Sequence, residues 1–210
     1  MTYHVKLLLL VITLFAVGTI VSCVNREGGG HMTQQEHGPS VDMGSVFDAH
    51  VRHEFVEHDV AATMRTMSRE PYVLNVPMLT GGEGAAGVRE FYERYFVGKM
   101  PADTKVTPIS RTVGADQVVD ELILSFTHDV PLDYMLPSIP PTGKHVELPH
   151  VVVMKFKDGK ISHEHIYWDQ ASLLVQVGLL DPKQFPARGV EQARRLIQKA
   201  TKATASPEGK

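Results

Sequence analysis

The spacing of hydrophobic residues predicts helices in the first part of the chain and strands in the later part. Across residues 45–67 apolar side chains recur every three to four positions, which predicts two helical segments capped by Ser45 and Asp59. A short apolar run at 71–76 predicts a strand, and helical spacing returns at 85–97. Three histidines of the first region are predicted to face solvent: His50, His53 and His58.

From residue 104 onward apolar residues alternate with polar ones, as they do in strands that bury one face. Four long strands are predicted, at 104–113, 118–129, 144–157 and 161–169. Short glycine-containing turns separate the first two strands and the last two, so the members of each pair run antiparallel. Helices packed on one face of such a sheet make an α+β domain.

Two of these strands place polar side chains on a face that is otherwise apolar. In the strand 144–157, His150 alternates in phase with Leu148 and Val152. In the strand 161–169, four polar residues share the parity of the apolar Ile161: His163, His165, Tyr167 and Asp169. A strand that lines a pocket explains this mixture better than a strand that only fills a core.

Further pocket residues are predicted around the end of the strand 118–129. Phe126 and His128 share one of its faces. The segment that follows, 130–142, holds four prolines and carries the aromatic residue Tyr134. A long loop of this composition beside a pocket is predicted to act as a lid.

Composition narrows the classes of partner. The chain has 210 residues, 43% of them hydrophobic, which suits one globular domain with extensions. A formal net charge of -3 gives no reason to expect a nucleic acid. The single cysteine, Cys23, excludes an intramolecular disulfide and a cysteine-based zinc site, whereas 11 histidines leave imidazole chemistry open.

The first segment has the pattern of a targeting signal. Residues 7–20 are nearly all apolar but fall short of the roughly 20 residues that a membrane-spanning helix needs. The sequence Ile20-Val21-Ser22-Cys23 that follows resembles a bacterial lipoprotein cleavage box. By this resemblance Cys23 becomes lipidated and anchors the protein in the membrane of the cell envelope. An uncleaved anchor is one alternative, and a start at Met32, which makes the protein cytoplasmic, is another.

These observations divide the chain into segments. Residues 1–22 are predicted to be a signal peptide, and residues 23–44, which are glycine-rich and polar, a flexible tether. Residues 45–180 form the predicted domain, and residues 181–210 a C-terminal extension with one short helix.

The order of several short motifs resembles the nuclear transport factor 2-like superfamily, in its SnoaL-like polyketide cyclase branch. The resemblance covers about residues 45–180. Its motifs are Asp59-Val60-x-x-Thr63-Met64, Gly81-Gly82-x-Gly84, Phe91-Tyr92, Phe156-x-Asp158-Gly159-Lys160-Ile161, Trp168-Asp169 and Gln176-Val177-Gly178. It implies a cone-shaped domain in which a strongly bent antiparallel sheet wraps a long N-terminal helix and leaves a cavity open at one end. It also implies a homodimer, since members are often dimers.

The resemblance also points to one residue for catalysis. In SnoaL-like cyclases an aspartate at the end of the last strand, seven residues before a Gln-x-Gly sequence, acts as acid and base. Asp169 stands seven residues before Gln176 and takes this place. The chain differs from many relatives in carrying His163 and His165 nearby, where apolar or acidic residues are common.

The favoured hypothesis is a cofactor-independent isomerase, cyclase or dehydratase that acts on a small apolar carbonyl compound. Asp169 removes a proton next to the carbonyl, and His165, His150 or Tyr134 hydrogen-bonds the enolate oxygen. The other predicted pocket residues contact the substrate: His163, Tyr167, His128, Phe126 and Tyr134.

Three alternatives accompany this hypothesis. Asp169 precedes a predicted helix at Gln170, where aspartate is a favoured N-cap, so capping is a second role for it. A lipid-anchored domain that binds a small apolar ligand without catalysis is the alternative function. A metal site is a lower alternative, with ligands drawn from His128, His150, His163, His165 and Asp169, although the chain has no local zinc signature.

Overall fold

The computed structural model of the protein describes residues 42–205. The predicted signal peptide 1–22, the lipidation site Cys23 and nearly all of the tether lie outside the described residues, as do residues 206–210. Within residues 42–205 we find no helix with the length and apolar character that crossing a membrane requires.

Helices come first, strands occupy the middle, and two helices close the described part of the chain. The helices are α1 (Met43–Arg52), α2 (Val60–Thr66), α3 (Gly84–Phe91), α4 (Gln170–Gln176) and α5 (Glu191–Ala205). The strands are β1 (Met67–Asn75), β2 (Thr80–Glu83), β3 (Lys105–Val113), β4 (Gln117–Thr127), β5 (His145–Lys157) and β6 (Lys160–Trp168). Wider π-helical turns extend α1 through His53–Glu57 and α3 through Tyr92–Phe96.

The six strands form one sheet in the order β2-β1-β6-β5-β4-β3. All neighbouring strands are antiparallel except β1 and β6, which run parallel in the middle of the sheet. The predicted α+β class is confirmed, but the sheet is mixed and not wholly antiparallel. The parallel pair arises because the chain returns to the first strand only after the β3–β4–β5 meander is complete.

Helix α1 begins earlier than the sequence pattern predicts. Asp42 is its N-cap and accepts hydrogen bonds from the backbone N–H of Gly44 at 3.0 Å and from the Ser45 hydroxyl at 2.6 Å. Ser45, the predicted cap, is therefore a partner of the true cap. Asp59 caps α2 as predicted, because its carboxylate accepts from the N–H of Ala62 at 2.9 Å.

Strand β5 keeps the alternation that the sequence predicts. It pairs with β4 over eleven consecutive positions without a break, from Lys155 opposite Gln117 to His145 opposite Thr127. Its inward residues include Leu148 and His150, both buried. An unbroken register keeps parity, so the face deduced from sequence is the face observed.

Strand β6 contains a bulge that reverses the predicted faces. Phe156 pairs with Ile161, but its neighbour Lys155 pairs with His163, so one extra residue of β6 is accommodated between the two pairs. Ile161 faces the core, yet beyond the bulge the inward residues are Glu164, Ile166 and Trp168. The prediction that His163, His165 and Tyr167 share the face of Ile161 is wrong for this reason.

Candidate functional site

A small cavity lies between the first helical segment and one face of the sheet, and we call it the chamber. Its volume is about 70 Å³. Its apolar walls include Phe47, Val51, Phe55, Phe96, Leu122 and Val152. Its polar wall residues are Glu54, Asn75, Tyr134, His150 and Glu164. An apolar cavity with a few polar groups is the usual form of a site for a small molecule.

A second cavity, the outer groove, adjoins the chamber. Its walls include the charged residues Asp48, Arg52 and Lys105. The groove and the chamber share five wall residues: Val51, Glu54, Phe55, Phe96 and Val106. Since Phe55 and Phe96 pack edge to face at 5.5 Å between ring centroids, this aromatic pair stands where the two cavities meet.

A buried cluster of polar side chains stands at the polar end of the chamber. Nε2 of His50 lies 3.1 Å from Oε1 of Glu54 and 3.0 Å from Oε1 of Glu164. The hydroxyl of Tyr92 donates to the same Glu164 oxygen at 2.9 Å and lies 3.2 Å from Nε2 of His50. Buried polar groups need such partners, because each one left unpaired costs free energy of folding.

The other ring nitrogen of His50 fixes how the imidazole is oriented. Nδ1 lies 2.6 Å from Oγ1 of Thr66, and the Thr66 hydroxyl donates to the backbone oxygen of Thr63 at 2.6 Å. Because that hydroxyl proton is already used, Nδ1–H of His50 donates to Thr66. Nε2 of His50 is thereby directed at the two carboxylates.

Burial and mutual contact shift the proton affinities in this cluster. Burial by itself lowers the pKa of His50, but the carboxylates of Glu54 and Glu164 outweigh it and raise that pKa to about 10. Burial raises the pKa of Glu54, against the opposing influence of His50. Burial also raises the pKa of Tyr92, with the charge of Glu164 adding to the effect. His50 is therefore an imidazolium at neutral pH, and Glu54 holds a proton more readily than a surface glutamate.

His150 contributes a neutral imidazole to the chamber. Its Nδ1–H donates to the backbone oxygen of Leu148 at 3.1 Å, and its ring stacks on Trp168 at 5.5 Å between centroids. Burial lowers the pKa of His150 to about 4. At neutral pH Nε2 of His150 is consequently a hydrogen-bond acceptor, and the stacked indole holds it in place. This position agrees with the predicted inward face of β5.

Asn75 and Tyr134 complete the polar wall. Asn75 ends β1 and is 3% exposed, and among the described residues its Nδ2 has no hydrogen-bond partner. Tyr134 comes from the proline-rich loop, and its hydroxyl contacts Sδ of Met100 at 3.3 Å. The loop is held over the sheet by Thr80, whose hydroxyl donates to the Tyr134 backbone oxygen at 2.8 Å.

The two histidines that sequence parity places in the pocket lie on the opposite face of β6. His163 stacks on Tyr72 at 4.6 Å and on His165 at 4.7 Å between ring centroids. Nε2 of His165 is 2.8 Å from the Tyr72 hydroxyl, and Tyr167 on the same face is 43% exposed. None of these side chains lines the chamber.

Asp169 is exposed and acts as the N-cap of α4. Its Oδ1 accepts from the backbone N–H of Ala171 at 2.9 Å and of Ser172 at 3.2 Å. Its Oδ2 accepts from Nε2 of Gln192 at 2.6 Å, which ties α5 to the cap. Asp169 is absent from the chamber wall, so the structure provides the capping role that the sequence left open.

Two predicted substrate contacts are core residues. Phe126 is fully buried and does not line the chamber. His128 is also fully buried, with Nδ1 3.1 Å from the Thr142 hydroxyl oxygen and its backbone oxygen accepting from Gly143 at 2.9 Å. His128 therefore anchors the end of the proline-rich loop.

The only metal-type cluster within residues 42–205 differs from the one predicted. His128, His150, His163 and His165 do not converge with Asp169. Instead His50, Glu54 and Glu164 present ligand atoms that all lie within 4.8 Å of one another. One imidazole and two carboxylates suit a divalent transition metal.

The three residues at the centre of this cluster were not predicted as site residues from the sequence. His50 was predicted to face solvent but is fully buried, and Glu54 and Glu164 were not among the predicted site residues. A local signal existed, because His50 and Glu54 stand four apart on the first helical segment and Glu54 directly precedes the apolar Phe55.

Comparison with known proteins gives the class of this fold. The model of the SnoaL-like domain family matches residues 47–164, more than half of the chain, and the protein therefore belongs to this family. The matched region contains His50, Glu54 and Glu164. A search among curated proteins gives no significant match.

Solved structures show the same fold at low sequence identity. A SnoaL-like polyketide cyclase assigned in Jannaschia sp. CCS1 aligns with a TM-score of 0.53 and 21% identity, covering 70% of this chain and 99% of that one. AclR from Streptomyces galilaeus, assigned as a hydroxylase, aligns with a TM-score of 0.52 and 19% identity, covering 68% of this chain and 89% of that one. TsrD from Streptomyces laurentii aligns with a TM-score of 0.50 and 19% identity, covering 65% of this chain and 95% of that one. These similarities establish the nuclear transport factor 2-like fold.

Proposed function

We propose that this protein is a cofactor-independent enzyme that moves a proton within a small neutral carbonyl compound, by isomerisation, cyclisation or dehydration. The observation that carries the proposal is the carboxyl group of Glu54, which is 5% exposed and lies on the wall of both the chamber and the outer groove. Burial raises the pKa of this carboxyl group toward neutral pH. A group whose pKa lies near the working pH can both take up a proton and give it back efficiently.

In this proposal Glu54 has the role that the sequence suggested for Asp169. A compound that enters from the outer groove places its carbon next to the carbonyl against Glu54, whose carboxylate takes the proton. The imidazolium of His50 stabilises Glu54 while it is ionised, and Tyr92 and Glu164 hold His50 in place. Glu54 then returns a proton at a different carbon or to a leaving hydroxyl oxygen, and its position on the wall of the outer groove lets its proton exchange with water between the two steps.

Isotope exchange tests this proposal without knowledge of the natural substrate. Wild-type protein in D₂O, with cyclohexanone as a one-ring ketone, is expected to speed deuterium incorporation next to the carbonyl, measured by NMR. Glu54→Gln is expected to lower this rate about 100-fold or more, because the amide is not a general base. Asp169→Asn is the matched control and is expected to keep the wild-type rate. Equal rates in Glu54→Gln and wild type would contradict the proposal.

The same experiment separates catalysis from simple binding. If calorimetry shows that cyclohexanone binds, but its protons exchange no faster than in buffer, the protein is a ligand-binding module of the family. This is the alternative that the sequence favoured after catalysis.

A metal-dependent enzyme is the second candidate, because the ligand atoms of His50, Glu54 and Glu164 lie as close together as those around a metal ion. Elemental analysis of the purified protein distinguishes the two. One equivalent of a transition metal that is lost in His50→Gln supports the metal site. Exchange that persists after chelation, with no bound metal, supports proton transfer by Glu54 alone.

A further inference from the structure

The chamber contains a hydrogen-bond donor and a hydrogen-bond acceptor that the fold does not use. The donor is Nδ2 of Asn75, which has no partner within the described part of the chain although the residue is 3% exposed. The acceptor is Nε2 of His150, whose other ring nitrogen is committed to Leu148. Because buried polar groups without partners are rare in folded proteins, the Asn75 amide calls for a ligand, and the His150 nitrogen in the same wall offers that ligand a second contact.

The two groups are held by elements that do not shift easily. Asn75 lies on β1 opposite Ile166 of β6, and Ile166 lies opposite Val152 of β5. His150 stands two residues from Val152 on the same face of β5 and is stacked on Trp168. Two strand spacings and an offset of two residues along β5, together about 12 Å, therefore separate the backbones that carry the donor and the acceptor. A molecule that touches both side chains has about the length of one substituted ring.

The geometry points to a small neutral hydroxyketone as the ligand of the chamber, with its carbonyl oxygen accepting from Asn75 and its hydroxyl donating to His150. This inference rests on the proposed function, because it names the substrate class of the same site. The buried glutamates Glu54 and Glu164 in the wall disfavour an anionic compound. The apolar walls of Phe47, Val51 and Leu122 fit a hydrocarbon ring between the two polar ends.

Asn75 and His150 are then specificity-determining residues. A compound without the carbonyl leaves the Asn75 amide unpaired, and a compound without the hydroxyl leaves the His150 nitrogen unpaired. A site that is built to hydrogen-bond a polar group rejects analogues that lack it, because its own buried groups are then unsatisfied.

Binding of matched probes tests this inference. The probes are 4-hydroxyacetophenone, acetophenone without the hydroxyl, and 4-ethylphenol without the carbonyl. Calorimetry is performed on Glu54→Gln, so that turnover does not contribute. We expect 4-hydroxyacetophenone to bind roughly tenfold more tightly than either analogue. Equal binding of the three probes, or binding of none, would overturn the inference.

Two variants assign each preference to its side chain. Asn75→Leu is expected to remove the advantage of 4-hydroxyacetophenone over 4-ethylphenol, and His150→Phe its advantage over acetophenone. If either variant weakens all three probes to the same extent, the side chain only shapes the cavity and the inference fails.

Stability gives a readout that does not depend on any probe. The thermal midpoint of Asn75→Leu without ligand is expected to rise, because an apolar side chain of similar size replaces an unpaired buried amide. A lower midpoint would show that the amide supports the fold and would count against a ligand role. If Glu54→Gln binds 4-hydroxyacetophenone more tightly than the two analogues while wild type shows no isotope exchange, the binding inference stands and the enzyme proposal alone fails.

Discussion

His50 is an imidazolium between two carboxylates, and none of the three has significant access to water. Glu54 and Glu164 are 5% and 4% exposed, and His50 is not exposed at all. Such an arrangement contributes little net stability over an apolar core, but removing one charge leaves the others buried without compensation. In the proposed function the cluster keeps Glu54 in an apolar chamber and still able to ionise.

The first prediction concerns His50→Gln and the pH dependence of stability. The pKa of His50 is about 10 in the folded protein against 6.5 for a free histidine, so its contribution is complete below pH 6.5 and is lost as pH rises toward 10. The free energy of unfolding of wild type should fall over this interval. Urea titrations should show that His50→Gln is less stable than wild type by about 3–5 kcal/mol at pH 6. Above pH 6 the free energy of unfolding of the variant should fall less than that of wild type.

His53→Gln is the control for this prediction, because His53 is on the adjoining turn and only partly buried. It should behave as wild type. A stability that stays constant from pH 6.5 to 10 in wild type would contradict a charged His50, and this result needs no variant to fold.

At the level of single elements, the sequence predicts which residues face the core where strand pairing is unbroken, but not where a bulge interrupts it. The face of β5 follows simple alternation because its pairing with β4 is unbroken, so His150 is where the pattern puts it. In β6 the bulge before His163 reverses parity, and nothing in the local sequence marks it. His50 was misplaced for a related reason, since its partners Tyr92 and Glu164 come from distant elements.

The second prediction separates the structural role of Asp169 from a catalytic one. Asp169→Ala removes the N-cap of α4 and the bond to Gln192, and the free energy of unfolding should fall by about 1 kcal/mol. Ketone exchange should stay within twofold of wild type. Asp169→Asn, which can still cap, should retain stability as well. A variant that keeps its stability and loses exchange would return the proton-transfer role to Asp169.

At the scale of the whole molecule, the chamber and the outer groove adjoin at the contact between the first helical segment and the turn that extends α3. Phe55 and Phe96 come from these two places and meet where the outer groove and the chamber adjoin. If the chamber holds a substrate as proposed, its volume of about 70 Å³ and this aromatic pair limit the size of that substrate.

The third prediction is that Phe55→Ala widens the range of substrates. The ratio of exchange rates for the two-ring ketone 1-tetralone and for cyclohexanone should rise about tenfold, since the removed ring is the main obstruction. Phe185→Ala, which removes a ring that is 52% exposed and outside both cavities, is the control. An unchanged ratio in Phe55→Ala would mean that ketones reach Glu54 by another route.

The parallel pairing of β1 with β6 has a consequence for synthesis of the protein on the ribosome. Tyr72 on β1 and His165 on β6 are in contact although 93 residues separate them. The carboxylate of Glu164 likewise reaches His50 only when the last strand has emerged. Until then the growing chain exposes the edge of β1 and a half-neutralised polar cluster, because the sheet cannot be completed before β6 is synthesised. Nascent chains that stall before β6 should therefore need chaperone protection.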